Sequence, residues 1–386
     1  MNGMRAAVPG QRVFTPVVDQ HASWIAVNPI QGCPKRCEYC FLHERSQAGV
    51  APFQVATPAE AEEMLLASPF YGPERAVALF TWTDVMAVAS SRAYLTEFLG
   101  RLTTAGLPNP VVLITKCRIP GNVIDAITAA RESGLRVIVY LSYSGLDAAV
   151  EAGIRHEQLV ANFPAMSEAG IPVVHYWRPA LPSSATVETM TRVLDLAARY
   201  AACTMAAGLK VEAGALGRLS RHWPALAVTA GVTKAECVYP AAFWEFIHRA
   251  GDLRPGYPVF HTNSCALAYV LGEADRFGVH GSDVCTARNS CPGLQRDRCA
   301  AALSTATPVT AERIGAALAS RGLAGPGWDF DSGTRTLAVR AVIPNAVASA
   351  LTQDLGVRVV SGGQGGDAYW SSGTSGAQPL VIGEAR

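Results

Sequence analysis

Gly32-Cys33-Pro34-Lys35-Arg36-Cys37-Glu38-Tyr39-Cys40-Phe41 decides the reading of this chain, because it sets three thiols at Cys-x3-Cys-x2-Cys spacing. Cysteines so tightly grouped point to a metal. A structural zinc ion takes four protein ligands and an iron–sulfur cube has four irons to satisfy, so three cysteines leave one metal position open to chemistry. His43 is the candidate fourth ligand that would close the group as a zinc knuckle. Ahead of the cysteines, Trp24-Ile25-Ala26-Val27 is a short β-like run and Asn28-Pro29 breaks it. The cysteines therefore fall on a loop leaving a strand.

Composition narrows the classes. A chain of 386 residues, 49% of them hydrophobic, suits one large α/β domain with an appendage, or two domains. Thirty-two basic against 31 acidic side chains give a net charge of +1 and no broad electrostatic footprint for a nucleic-acid backbone. Ten cysteines with no secretory segment after Met1 lead to the expectation of a reducing, cytoplasmic setting. No apolar run approaches the roughly 20 residues of a membrane span.

From Trp24 to about Val211 short β-like runs alternate with helical segments, the pattern of a parallel sheet wrapped by helices. Strands are expected at 24–27, 76–80, 111–115, 136–142, 173–178 and 205–211. Thr57-Pro58 supplies the N-cap and first position of the first helix, with Glu60, Glu62 and Glu63 in the acid-favouring turn. Further helices are expected at 92–102, in the stretch ending at Ser133-Gly134, at 159–169, and at 187–200 behind Thr186. Such spacing fits a barrel or an open doubly wound sheet, although no Gly-x-Gly-x-x-Gly follows the first strand. Beyond a stretch at 214–255 without clear alternation, helices at 310–321 and 345–355 and extended runs at 336–342 and 357–360 suggest a small α+β unit.

A second group, Cys265, Cys285, Cys291 and Cys299, is spaced by nineteen, five and seven residues. Four thiols suffice for a closed tetrathiolate site holding zinc or a [4Fe-4S] cluster. Cys117, Cys203 and Cys237 stand singly and suit buried thiols.

With its strand, loop and interposed Tyr39, the first group resembles that of the radical S-adenosylmethionine (SAM) superfamily. Thr83-Asp84 after Leu79-Phe80-Thr81-Trp82, Ile114-Thr115-Lys116, and Ala169-Gly170-Ile171-Pro172-Val173 with Arg178-Pro179 resemble the branch containing spore photoproduct lyase, over roughly residues 24–182. The resemblance implies a partial (β/α)6 barrel with reacting groups at the C-terminal ends of its strands. It implies that Cys33, Cys37 and Cys40 hold a [4Fe-4S] cluster whose unique iron binds SAM, which is cleaved reductively to a 5′-deoxyadenosyl radical that abstracts hydrogen. Tyr39 would lie beside the adenine and Thr83-Asp84 would meet the methionine amino group. Ser142 is then a candidate for the ribose or carboxylate, and Lys116 for the carboxylate or an anionic substrate; His175, Tyr176 and Arg178 end the fifth expected strand.

Two departures argue against spore photoproduct repair. Phe80-Thr81-Trp82 offers no hydrogen-donating thiol, and Leu159 and Val160 stand where the branch often has an arginine, Arg155 lying a turn earlier. Partners implied are a reductant such as a ferredoxin or flavodoxin and a small-molecule, peptide or nucleobase substrate. The expected division is an extension at 1–23, the barrel at 24–255, a cysteine-rich metal segment at 256–305, and the α+β unit with its Gly/Ser-rich tail at 306–386. A reading from another class is a zinc-stabilised nucleic-acid-binding protein, with Cys33, Cys37, Cys40 and His43 as one site and the later four cysteines as another.

Overall fold

The computed structural model describes residues 15–235, 237–275, 291–325, 327–362 and 379–383. Cys285, the first part of the expected N-terminal extension and most of the Gly/Ser-rich tail lie outside them.

One eight-stranded sheet organises the chain: β1 (Val18–Gln20), β2 (Ile25–Val27), β3 (Val77–Leu79), β4 (Val111–Thr115), β5 (Val137–Leu141), β6 (Val173–Trp177), β7 (Cys203–Ala206) and β8 (Val259–Phe260). The strands neighbour one another in chain order. β1 runs antiparallel to β2, and every later pair is parallel. A doubly wound sheet reverses its strand order at a switch point; this one does not, and its edge strands do not pair with each other, which is the order of a partial barrel.

The strands bury both faces, with a period of two. Ile25, Val27, Val77, Leu79, Leu113 and Val139 pack outward against the helices. Ala26, Ala78, Val112, Ile138, Tyr140, Val174, Tyr176 and Met205 fill the inner side. Residues buried on both sides explain the near-continuous apolar runs. Helix α1 (Pro58–Leu66) carries the expected cap: Thr57 Oγ1 accepts from Glu60 N at 3.2 Å and the Glu60 carboxylate accepts from Thr57 N at 2.7 Å. Helices α2 (Ala89–Thr104), α3 (Gly121–Glu132) and α5 (Val187–Tyr200) follow β3, β4 and β6 as expected, the last with Thr186 as N-cap.

Among the described residues the structure differs from the sequence reading in several places, three of which bear on the barrel. The helix expected at 159–169 is two pieces, His156–Val160 and α4 (Asn162–Glu168). Pro164 has no N–H for the carbonyl of Val160, and the Asn162 side chain turns inward to accept from Ile119 N and donate to Cys117 O. The strand expected at 205–211 is the shorter β7, because Gly208 passes against Val238, where a Cβ would lie 2.7 Å from the Val238 carbonyl oxygen. A seventh parallel strand, β8, extends the sheet past residue 255, and its two residues are too few for a periodic signal.

The C-terminal unit pairs β9 (Trp328–Asp331), β10 (Thr336–Val339) and β11 (Arg358–Ser361) in one sheet, covered by helices at Ala311–Ser320 and Asn345–Leu355. It docks near the N-terminal end of β3, where Arg75 and Arg321 both bind the Asp354 carboxylate. Leu380–Ile382 pairs with Val238–Pro240.

Candidate active site

The cysteine loop is tied down on two sides. After β2, Ile30–Gln31 pairs with Phe53–Gln54, and Gly32 turns the chain at φ +86°, where a Cβ would press 3.2 Å from the Ala51 carbonyl oxygen. Cys33 N donates to Gln47 O at 3.0 Å. Arg36–Cys37 then forms an antiparallel ladder with Glu151–Ala152, extended by Glu38 N to Val150 O at 2.8 Å and Lys35 Nζ to Gly153 O at 2.7 Å. Cys33 and Cys37 are buried and Cys40 half-buried.

Burial pushes the Cys33 and Cys37 thiols up to about 12, the Asp84 charge adding to the effect at Cys33. Cys40 is likewise raised by burial. The sulfurs do find donors: Lys35 and Asp84 N–H for Cys33, and Leu42 N–H for Cys40. Lys116 pulls Cys37 and Cys40 the other way without offsetting burial, and a metal centre would supply the further positive charge that thiolates here need. Among the described residues no three His, Cys, Asp or Glu side chains are set to share one ion. The ligands of a single tetrahedral ion lie about 4 Å apart, given metal–sulfur bonds of about 2.3 Å, whereas a cube spreads its thiolates more widely. His43, the candidate fourth ligand of a zinc site, has its Nε2 3.0 Å from the Cys37 carbonyl oxygen.

A cavity of about 650 Å³ opens beside the loop at the C-terminal ends of the strands. Its lining includes Cys33, Cys37, Cys40, Tyr39, Thr83, Asp84, Lys116 and Ser142. Residues called from separate parts of the sequence thus meet in one place. Within it, Thr83 and Asp84 differ. Asp84 Oδ1 accepts from Thr115 Oγ1 at 2.7 Å and Met86 N at 3.1 Å, and Oδ2 accepts from Lys116 N at 2.8 Å. Its carboxylate fastens the β3 loop to the end of β4. The buried Thr83 hydroxyl has no hydrogen-bond partner.

Lys116 is the pinned cation of the cavity. Its Nζ donates to Ser142 O at 3.0 Å, pairs with Glu151 Oε1 at 2.8 Å and lies 5.5 Å from the centre of the Tyr39 ring. Tyr39 OH donates to the same Glu151 oxygen, and His156 Nε2 sits 2.7 Å from the other. Burial pushes the Glu151 carboxyl up, but Lys116 and the bonds from His156, Lys116 and Tyr39 outweigh it and bring it down to about 2. Sequence reasoning missed Glu151. It lies in no motif, and only its apolar neighbours Val150 and Ala152 hint that it is buried.

Of the residues ending β6, Tyr176 and Arg178 line the cavity and bind each other, Arg178 Nη1 to Tyr176 OH at 2.9 Å. His175 does not: it is wholly buried between Thr204 Oγ1 and Tyr143 O, and burial lowers it to about 4. The far wall carries Tyr239, Trp244 and His261, with Asn345 and Ser349 from the C-terminal unit. His261 stacks on Trp244 and His248 and faces this cavity.

The second cysteine group is arranged differently. Cys265 lies on the helix Asn263–Leu271, Cys299 on the helix Gly293–Ser304, and Cys291 just ahead of the latter. Cys265 Sγ is 3.0 Å from Asp275 Oδ2, and Asp275 N donates to Cys299 Sγ at 3.4 Å, so two of the thiols converge on one buried aspartate.

No protein-family model matches the sequence, and no curated protein matches it. Among solved structures the chain is similar to spore photoproduct lyase complexed with dinucleoside spore photoproduct, at 14% identity and a TM-score of 0.45 over 61% of this chain and 75% of that one. It is also similar to SuiB of Streptococcus suis, at 12% identity and a TM-score of 0.42 over 65% of this chain and 52% of that one. A doubly substituted variant of the lyase, at 14% identity and a TM-score of 0.45, has AdoMet (SAM) bound with the dinucleoside spore photoproduct. No helix among the described residues is long and apolar enough to cross a membrane.

Proposed function

We propose that this chain is a radical SAM enzyme acting on an organic substrate. The observation that carries the reading is the convergence of Cys33, Cys37, Cys40, Tyr39, Thr83, Asp84, Lys116 and Ser142 on one cavity at the strand ends. The residues present fit the cofactors. Burial raises all three thiols, as it would for thiols awaiting a metal, and the unpartnered Thr83 hydroxyl shares their cavity. Cys33, Cys37 and Cys40 would hold a [4Fe-4S] cluster, Thr83 the amino group of SAM and Lys116 its carboxylate, with Ser142 and Tyr39 flanking the nucleoside. The cluster, when bound, supplies the electron that cleaves the sulfonium and so starts hydrogen abstraction. Asp84 orders the site by fixing Lys116 N and Thr115. Tyr239 and Trp244 would help to shield the reacting groups from water.

Cys265, Cys285, Cys291 and Cys299 would form a closed second site, a [4Fe-4S] cluster in preference to zinc. A ferredoxin or flavodoxin would deliver electrons in a cytoplasmic setting, and the substrate would be a small molecule, a peptide or a nucleobase.

The test is anaerobic reconstitution with iron and sulfide. Wild-type protein should turn brown and form 5′-deoxyadenosine from SAM under dithionite; a colourless, zinc-loaded protein that leaves SAM intact would overturn the reading.

A further inference from the structure

Glu151 is the residue on which the cavity's charge turns. It sits in Ala149-Val150-Glu151-Ala152, pairs with Cys37 across the ladder and has a fully buried side chain. Both oxygens are used. Oε1 takes Lys116 Nζ at 2.8 Å and Tyr39 OH, and Oε2 takes His156 Nε2 at 2.7 Å. An ionised carboxylate only accepts, so Nε2 of His156 carries a proton and all three groups point their hydrogens at one acid. These partners come from the cysteine loop, the end of β4 and the helix at His156–Val160.

The consequence concerns Lys116. A lysine ammonium rides on a flexible four-carbon stem and holds an orientation only where its partners fix one. Here Glu151 and the Ser142 carbonyl bracket Nζ above the Tyr39 ring, at the edge of the cavity that the three thiols share.

We propose that Glu151 is a positioning residue that presents the Lys116 ammonium to the cavity in one orientation and locks Tyr39 beneath it, so setting affinity for the carboxylate end of the ligand beside the cysteines. The proposal rests on the SAM reading above. Glu151 touches no ligand itself; it acts through two side chains that do.

Glu151→Gln keeps the shape and removes the charge, and two measurements decide. In metal-free protein, hydrogen exchange of the amides at 36–40 should quicken, because the loop has lost its anchor. In anaerobically reconstituted protein, iron content and the electron paramagnetic resonance of the reduced cluster without SAM should match wild type, while SAM measured by equilibrium dialysis binds about 10–100-fold more weakly, the usual cost of removing a supporting partner. His156→Gln, which leaves the Glu151–Lys116 pair intact, should shift both readouts the same way by less, and it carries the test with Tyr39→Phe if Glu151→Gln does not fold. SAM affinity within twofold of wild type in these variants overturns the proposal. So does loss of iron in step with loss of SAM binding, which would make Glu151 a prop for the loop alone. If wild type binds no SAM yet Glu151→Gln loosens the loop, the SAM reading falls and the lock on Tyr39 and Lys116 stands.

Discussion

Cys33, Cys37 and Cys40 sit on one loop laced to the rest of the barrel by two short ladders, whereas Cys265, Cys291 and Cys299 come from two helices and the turn before one of them. In the first group the backbone places the sulfurs, and neighbouring elements add a lysine, a free hydroxyl and an aromatic ring around a shared cavity. In the second, two of the thiols meet an aspartate beside the inner core, and none of the three lines that cavity. An open site needs a cavity and supporting groups; a closed one needs only enough ligands. On the proposed reading the first group carries the chemistry and the second a structural or electron-transfer role.

The strongest way to break this contrast is to replace Cys33, Cys37 and Cys40 together with Ala. Formation of 5′-deoxyadenosine should fall below detection, and about four irons per chain should remain if the second group holds a [4Fe-4S] cluster. Zinc alone would make the second site a structural knot. Loss of all metal would mean the four later cysteines do not act as a site.

A smaller effect is expected from Cys265→Ser with Cys299→Ser. Metal binding and folding are coupled where ligands come from separate elements, so the second metal should be lost and the helices Asn263–Leu271 and Gly293–Ser304 should become protease-sensitive. SAM affinity should stay near wild type. A large fall in SAM affinity would show that the two groups form one functional unit after all.

On the proposed reading Thr83 and Asp84 divide the first site into ligand contact and support. Asp84→Ala removes the carboxylate that accepts from Thr115 Oγ1, Met86 N and Lys116 N. It should cost roughly 1.5–3 kcal/mol of stability, the range for hydrogen bonds to a charged group, read as a lower thermal midpoint. Thr83→Val leaves no bond broken in the free protein, since its hydroxyl has no partner there. Its midpoint should hold while SAM affinity drops about fivefold, equivalent to a hydrogen bond worth about 1 kcal/mol.

These pairs also show what a sequence carries. Val111-Val112-Leu113-Ile114-Thr115 was legible as a strand to the residue, because parallel strands buried on both faces read as unbroken apolar runs. Thr57 and Thr186 were legible as caps because capping is local. The cysteine loop was legible as a group because its thiols are close in sequence. β8 was not, having only two residues, and neither was β1, an edge strand of three. Glu151 was illegible for a different reason: its meaning lies in pairing with Cys37, Lys116 and Tyr39, and nothing in the local sequence records that. The role of Asp84 was likewise hidden, since a carboxylate at a strand end reads the same whether it faces a ligand or the next strand.

The smallest expected effect bears on whether the first group has three ligands or four. His43 stands where a fourth ligand could close the site, yet its ring nitrogen lies 3.0 Å from the Cys37 carbonyl oxygen, in the three-residue turn that follows Cys40. As a ligand, its loss would strip the metal. As a donor to a carbonyl, its loss removes one neutral hydrogen bond worth about 0.5–1.5 kcal/mol. His43→Ala should therefore retain the iron of the cysteine loop and form 5′-deoxyadenosine at a rate within a few-fold of wild type, with only a slight fall in thermal midpoint. Iron and zinc analysis of this variant beside the triple cysteine variant distinguishes the cases. Metal lost from both would close the first site with four ligands and remove the open corner on which the chemistry depends.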